Sequence, residues 1–214
     1  MKIEYFGHSC FVCETKAGTR FMFDPFNEKV GYPLPSVPVD VVFTSHDHFD
    51  HNAVNVVKGN PKVFKDAGKF EFKDLSIEGH IFNHDDNAGK ERGKVVAFKI
   101  TADGVSLAHM GDLGEVPSKG SLKPYESLDL LLIPVGGFYT IGPDEVLKIV
   151  DMINPKQIVP MHYKLTGNEF PIKTLNEFLA AWKYGVNRIN SCKYEITPGN
   201  KEKELVVMKA VFEK

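Results

Sequence analysis

Six consecutive residues constrain this chain more than any others: His46-Asp47-His48-Phe49-Asp50-His51, with three imidazoles and two carboxylates. The run before it, Val39-Asp40-Val41-Val42-Phe43, is apolar and short and is predicted to be a buried strand. Residues 52–58 after it predict a short helix, capped by Asp50 or Asn52. The cluster is thus expected on a strand-to-helix turn. Burying so many ionisable groups without partners would cost several kcal/mol each, and a bound cation removes that cost. A chain that carries this turn must fold so that something meets it.

The spacing limits what that is. Residues i and i+2 of an extended segment share a face, so His46 and His48 can grip one ion from the same side. Asp50 and His51 follow where the chain bends and should address a neighbouring position. One loop can then serve two ions, roughly 3.5–4 Å apart as in two-metal sites generally. Imidazole with carboxylate suits zinc, and also manganese or iron.

Further donors recur where expected strands end. His84 closes a strand over 75–82 and is the natural third imidazole for the first ion. His80, four residues earlier, competes with it but lies away from the strand's end. Asp112, among glycines in His109-Met110-Gly111-Asp112-Leu113-Gly114, has two oxygens with which to bridge two cations, and His109 is placed to support it from behind. His162 ends the apolar run Gln157-Ile158-Val159-Pro160-Met161 and is the last ligand for the second ion. Asp24, before Pro25, reads either as a partner that fixes a ligand histidine's tautomer or as a turn former. His8, in Gly7-His8-Ser9, either lines a cleft or is a surface histidine. Arg92, Tyr139 and Lys164 stand on or beside expected loops, where they are candidates, with His8, for binding an anionic substrate.

The rest of the chain reads as strands with few helices. Short β-prone runs cover 1–6, 10–15, 19–24, 62–65, 69–73, 94–101 and 104–110, and 128–133 is a continuous apolar strand expected to be buried on both faces. Helices are predicted over 143–153, with Val146, Ile149, Val150 and Ile153 as its apolar stripe, and over 172–184. Residues 27–38, with Pro33, Pro35, Pro38 and Gly31, predict an irregular loop, and 194–196 and 205–212 closing strands. No linker or repeat divides the 214 residues, so one domain over 1–214 is expected.

Several function classes fall away. Net charge is −2 and no basic stripe is present, which gives no strong nucleic-acid signal. No apolar run reaches 18 residues, and the first residues carry no signal-peptide pattern, so a soluble cytoplasmic protein is expected. Cys10 and Cys13 form a C-x-x-C, but residues three apart on a strand face opposite sides, and a redox motif would instead open a helix. Pro134-Val135-Gly136-Gly137 lacks the spacing of a phosphate-binding P-loop.

His46-x-His48-x-Asp50-His51, followed in order by His84, Asp112 and His162, resembles the metallo-β-lactamase superfamily. Gly7-His8-Ser9, Phe23-Asp24-Pro25, His84-Asp85, Arg92-Gly93 and Pro160-Met161-His162-Tyr163 narrow the likeness to its UlaG-like branch, metal-dependent hydrolases related to L-ascorbate-6-phosphate lactonase. The resemblance implies an αββα sandwich, two facing mixed sheets with helices outside and metals in a groove at one edge. It implies that His46, His48 and His84 hold the first metal, that Asp50, His51 and His162 hold the second, and that Asp112 bridges. His48 stands where the lactonase's pattern has a glutamate, which favours the common two-zinc arrangement. The expected function is a metal-dependent hydrolase. Two divalent ions, zinc before manganese or iron, activate a water that Asp50 and Asp112 orient for attack on an ester, lactone or phosphodiester of a small anionic substrate. The alternatives are a nuclease or cyclic-nucleotide phosphodiesterase on the same fold, and a non-hydrolytic metal-binding or di-iron redox protein. A homo-oligomer is compatible with the sequence.

Overall fold

The computed structural model describes residues 1–196, 198–199 and 203–213. The first five strands are β1 (Lys2–Gly7), β2 (Cys10–Glu14), β3 (Arg20–Phe23), β4 (Val41–Phe43) and β5 (Lys62–Phe64). Next come β6 (Gly68–Phe72), β7 (Leu75–Asn83), β8 (Lys94–Ala102) and β9 (Val105–His109), a short α1 (Lys119–Leu122), β10 (Leu130–Pro134), α2 (Pro143–Ile153) and β11 (Gln157–Met161). The chain closes with α3 (Leu175–Ala181), β12 (Gly185–Arg188), β13 (Lys193–Glu195) and β14 (Glu204–Val207). They form two mixed sheets, in the orders β13-β1-β2-β3-β4-β5 and β12-β14-β11-β10-β9-β8-β7-β6. Two mixed sheets with few helices are the expected αββα sandwich. No helix among the described residues is long and apolar enough to cross a membrane.

The sheets meet on aromatic side chains. Phe21, Phe23 and Phe43 of the first sheet are fully buried, and Phe43 reaches across to Phe98 of β8, ring centroids 5.1 Å apart. Burying each such ring stabilises the fold by roughly 1.5–3 kcal/mol. β10 and β11 are buried along their whole length, as their unbroken apolar sequence requires for parallel strands inside a sheet. In α2, Pro143 occupies the first turn, Glu145 accepts the Gly142 N–H at 3.2 Å, and Asn154 in the left-handed conformation ends the helix. Its stripe of Val146, Ile149, Val150 and Ile153 is buried, as its spacing predicts.

Three local expectations are corrected. Residues 52–58 form no α-helix but one 3-10 turn, Val54–Val56, with no side chain capping it. The two expected caps are engaged elsewhere, Asp50 with His8 and Asn52 with the Asp47 side chain, and Val54, Val56 and Val57 are β-branched residues that lose rotamer freedom in a helix. The helix expected over 172–184 is confined to α3, where Thr174 and Glu177 form a reciprocal cap. Beyond it the polar Gly185-Val186-Asn187-Arg188 pairs as edge strand β12, which lacks the alternation that signals a strand. The strand expected over 205–212 ends at Val207.

Candidate metal centre

Strand direction explains where the polar residues gather. β1 and β2 are antiparallel, β2 and β3 antiparallel, and β3 and β4 parallel, so β1, β3 and β4 run the same way. In the second sheet β7, β9, β10 and β11 share a direction by the same counting. His8, Asp24 and the 46–51 loop follow the carboxyl ends of β1, β3 and β4. His84, Asp112 and His162 follow those of β7, β9 and β11. Six strand ends from two sheets thus converge on one edge of the sandwich.

All seven candidate ligands meet there. His46, His48 and His84 place donor atoms within 4.8 Å of one another, as do His46, His51 and Asp112, and as do His8, Asp50, His51 and His162. The Asp112 carboxylate lies at the centre, its Oδ2 3.2 Å from His51 Nε2, 3.2 Å from His162 Nε2 and 3.6 Å from His84 Nε2. Asp50 Oδ2 is 3.5 Å from His51 Nε2. His80, the competitor of His84, is one-third exposed, faces Tyr125, and belongs to none of these groups.

Asp24 fixes the histidines from behind. Its Oδ1 accepts the Ser45 N–H at 2.7 Å, and its Oδ2 accepts the Ser45 hydroxyl at 2.7 Å and His51 Nδ1–H at 2.8 Å. Since the Ser45 hydroxyl gives its hydrogen to Asp24, its oxygen accepts from His46 Nδ1 at 2.9 Å. His46 therefore carries its proton on Nδ1 and aims an Nε2 lone pair into the cluster, while His51 donates from Nδ1 to Asp24 with its Nε2 turned toward Asp50 and Asp112. His109 lies behind as well, with Nε2 donating to the Ser9 carbonyl at 2.8 Å, Nδ1 accepting from Gly111 N at 3.1 Å, and its ring stacked on Phe23. Replacing Asp24 with alanine leaves three buried donors without their acceptor. It is expected to destabilise the fold by about 3–5 kcal/mol and to weaken metal binding about 10–100-fold, measured by urea unfolding of the metal-free chain and by zinc titration.

The charges favour a cation. Burial pushes the His46 imidazole down to about 3, so it is neutral and its lone pair is available. Burial would raise the carboxyl groups of Asp50 and Asp112, but the imidazoles around them hold both well below the usual carboxylate range. For His51, burial works against the charged form, yet Asp112, Asp50 and Asp24 together draw it well above the usual histidine range. Three carboxylates around one ring demand positive charge at that point. Buried polar atoms without a hydrogen-bond partner include His46 Nε2, His51 Nε2, His84 Nδ1, His162 Nδ1 and Asp112 Oδ1. Unpartnered buried groups are rare in folded proteins, and His46 Nε2 and His51 Nε2, grouped with Asp112, fit a site built for metal ions.

A cleft of about 270 Å³ opens onto the cluster. His48, Asp50, His84, Asp112 and His162 form its floor, and Phe49, Arg92, Tyr139 and Phe170 its walls. The Arg92 guanidinium lies over the Tyr139 ring, 5.6 Å from its centroid. Asp85 builds the Arg92 loop by accepting the backbone N–H groups of Asn87, Gly89, Glu91 and Arg92 at 2.8–3.0 Å. Of the four expected substrate contacts, Arg92 and Tyr139 line the cleft. Lys164 is exposed and outside it, because the hydrogen bond of its backbone to Lys173 turns the chain away after His162. His8 is fully buried beneath the floor and cannot touch a substrate, because its side chain is turned inward onto Asp50 and His162. Phe49 and Phe170 were not legible as wall residues. Phe49 is the unspecified residue between His48 and Asp50 in the motif, and Phe170 lies in a loop with no local signal. Asp85 could have been found, as an aspartate that opens a glycine-bearing polar loop.

Residues 2–162 match the family described as the beta-lactamase superfamily domain. A UPF0173 metal-dependent hydrolase of Opitutus terrae is 31% identical over 197 residues, covering 76% of this chain and 85% of the relative. Another, from Pelotomaculum thermopropionicum, is 26% identical over 238 residues and covers 96% of this chain and all of the relative. A crystal structure from Thermotoga maritima, of a protein proposed to be a Zn-dependent hydrolase of the metallo-β-lactamase superfamily, superposes with a TM-score of 0.82 at 36% identity, covering 97% of each chain.

Proposed function

The chain belongs to the metallo-β-lactamase superfamily, among relatives named UPF0173 metal-dependent hydrolases, and on that premise we propose that it uses two divalent ions, zinc foremost, to hydrolyse an ester, lactone or phosphodiester bond in a small anionic substrate. The observation that carries this reading is the set of three overlapping donor groups around Asp112. His46, His48 and His84 would hold the first ion, Asp50, His51 and His162 the second, and Asp112 would be shared. Such ions lower the pKa of a water toward ~7 and polarise the bond under attack.

The chain's own residues do the rest. Asp50 and Asp112 stay ionised, accept hydrogens of the attacking water and set its direction. Arg92, held on its loop by Asp85 and placed over the Tyr139 ring, presents guanidinium donors to the substrate's anionic group. Phe49 and Phe170, ring centroids 6.3 Å apart, wall the cleft and exclude water from the reacting group.

The test is a screen of zinc-loaded protein against lactones, phosphodiesters, thioesters and β-lactams, beside a chelated control. Turnover that is lost on chelation supports the reading, and activity indifferent to chelation overturns it. On the best substrate, Arg92→Met is expected to raise KM about 10–100-fold with little change in kcat, the equivalent of losing ~1.5–3 kcal/mol of charge-assisted hydrogen bonding. An unchanged KM removes Arg92 from substrate binding.

A further inference from the structure

His8 belongs to no ligand set assigned above, yet it is tied to the second of them at three points. Its Nε2 lies 3.1 Å from Asp50 Oδ2 with hydrogen-bond geometry. Its backbone carbonyl accepts the His162 N–H at 2.8 Å. Its ring packs on the His162 ring with centroids 4.2 Å apart, and on His51 at 5.1 Å. From these contacts we infer that His8 is a positioning residue for the second ion, holding the Asp50 side chain through Nε2–H and the His162 backbone through its carbonyl. The inference rests on the two-ion reading above.

The backbone supports it. His8 has a φ of +54° and His162 one of +52°. A left-handed conformation costs a residue other than glycine or asparagine roughly 1–2 kcal/mol. It persists where surrounding bonds over-determine it. At His8 the Tyr5 hydroxyl donates to the carbonyl at 3.0 Å, beside the His162 N–H, so two hydrogen bonds clamp the strained peptide. A merely packed side chain would not need an imidazole here.

The Nε2 contact with Asp50 separates positioning from direct ligation. His8 Nδ1 is buried and has no partner. With the proton on Nε2, given to Asp50, Nδ1 is a bare acceptor. Nε2, 3.1 Å from Asp50 Oδ2, then has no lone pair to offer an ion. Donation to Asp50 is therefore the arrangement that fits.

Cobalt(II) is the probe, titrated into the full metal-free chain and followed by visible absorbance, with bound metal counted by elemental analysis. His8→Asn accepts the left-handed backbone but is too short to reach Asp50, and His8→Gln places an amide N–H near the position of Nε2. Thermal unfolding of each metal-free variant establishes that it is folded. The expected result is two ions in the wild type, a normal first ion and a second ion weakened about 10–100-fold in His8→Asn, and recovery to within a few-fold in His8→Gln. Wild-type affinity for the second ion in His8→Asn overturns the inference. An equal loss in both variants overturns the hydrogen-bond assignment. A wild-type chain that binds fewer than two ions overturns the two-ion reading itself, a failure seen without any variant.

Discussion

Asp112→Asn is expected to reduce turnover on the order of 10³-fold, the scale of losing one preorganised electrostatic contact to a reacting centre. It should also lower bound metal from two ions to one or none. Asp112 is the side chain that His51, His84 and His162 all approach within 3.6 Å. The amide keeps the shape but replaces one anionic oxygen with an N–H donor, which faces the cluster like a misplaced cation. Elemental analysis and steady-state kinetics on the best substrate check both parts. His80→Ala is the matched control, since that ring is partly exposed against Tyr125, and both metal content and turnover should be unchanged. Full metal content in Asp112→Asn would remove Asp112 from the ligand set.

Stripping the ions is expected to abolish activity and to lower thermal stability together. An ion that binds only the folded chain, present at a hundred times its Kd, stabilises it by about 2.7 kcal/mol. Two ions give about 5 kcal/mol, and at 2–4 °C per kcal/mol for a chain of this size the melting temperature should fall by about 10–20 °C. Calorimetry with and without chelator, followed by zinc add-back, measures it. A melting temperature unmoved by chelation would mean that the cluster binds ions too weakly to serve as a resident centre.

The two-sheet fold and the strand-end places of the polar residues were both legible in the sequence. The 46–51 motif is local, so its alternation and its place after an apolar strand could be read directly, and His84, Asp112 and His162 each follow an apolar run. Asp24 stood open between two readings, and in the fold it takes three hydrogen bonds from Ser45 and His51. His8 was misplaced because burial is set by strands distant in sequence, and a histidine between two strands looks the same whether it faces water or a carboxylate. The helix expected over 52–58 failed where the motif's own polar side chains turned to partners other than the backbone. β12 went unread since an exposed edge strand needs no apolar face.

The last strands bear on the centre without approaching it. Every donor lies before residue 163, whereas β12 joins the second sheet, β13 crosses to β1 in the first, and β14 returns to β11. Gln157 on β11 donates to the Tyr194 hydroxyl on β13, tying one layer to the other. This tail adds a tie between the layers beside the aromatic core that they share. A slip of one residue along a strand is about 3.3 Å, as large as the 3.2 Å that separates Asp112 from His51 and His162. Strands that carry no donor thus share in holding the two layers whose ends carry them all.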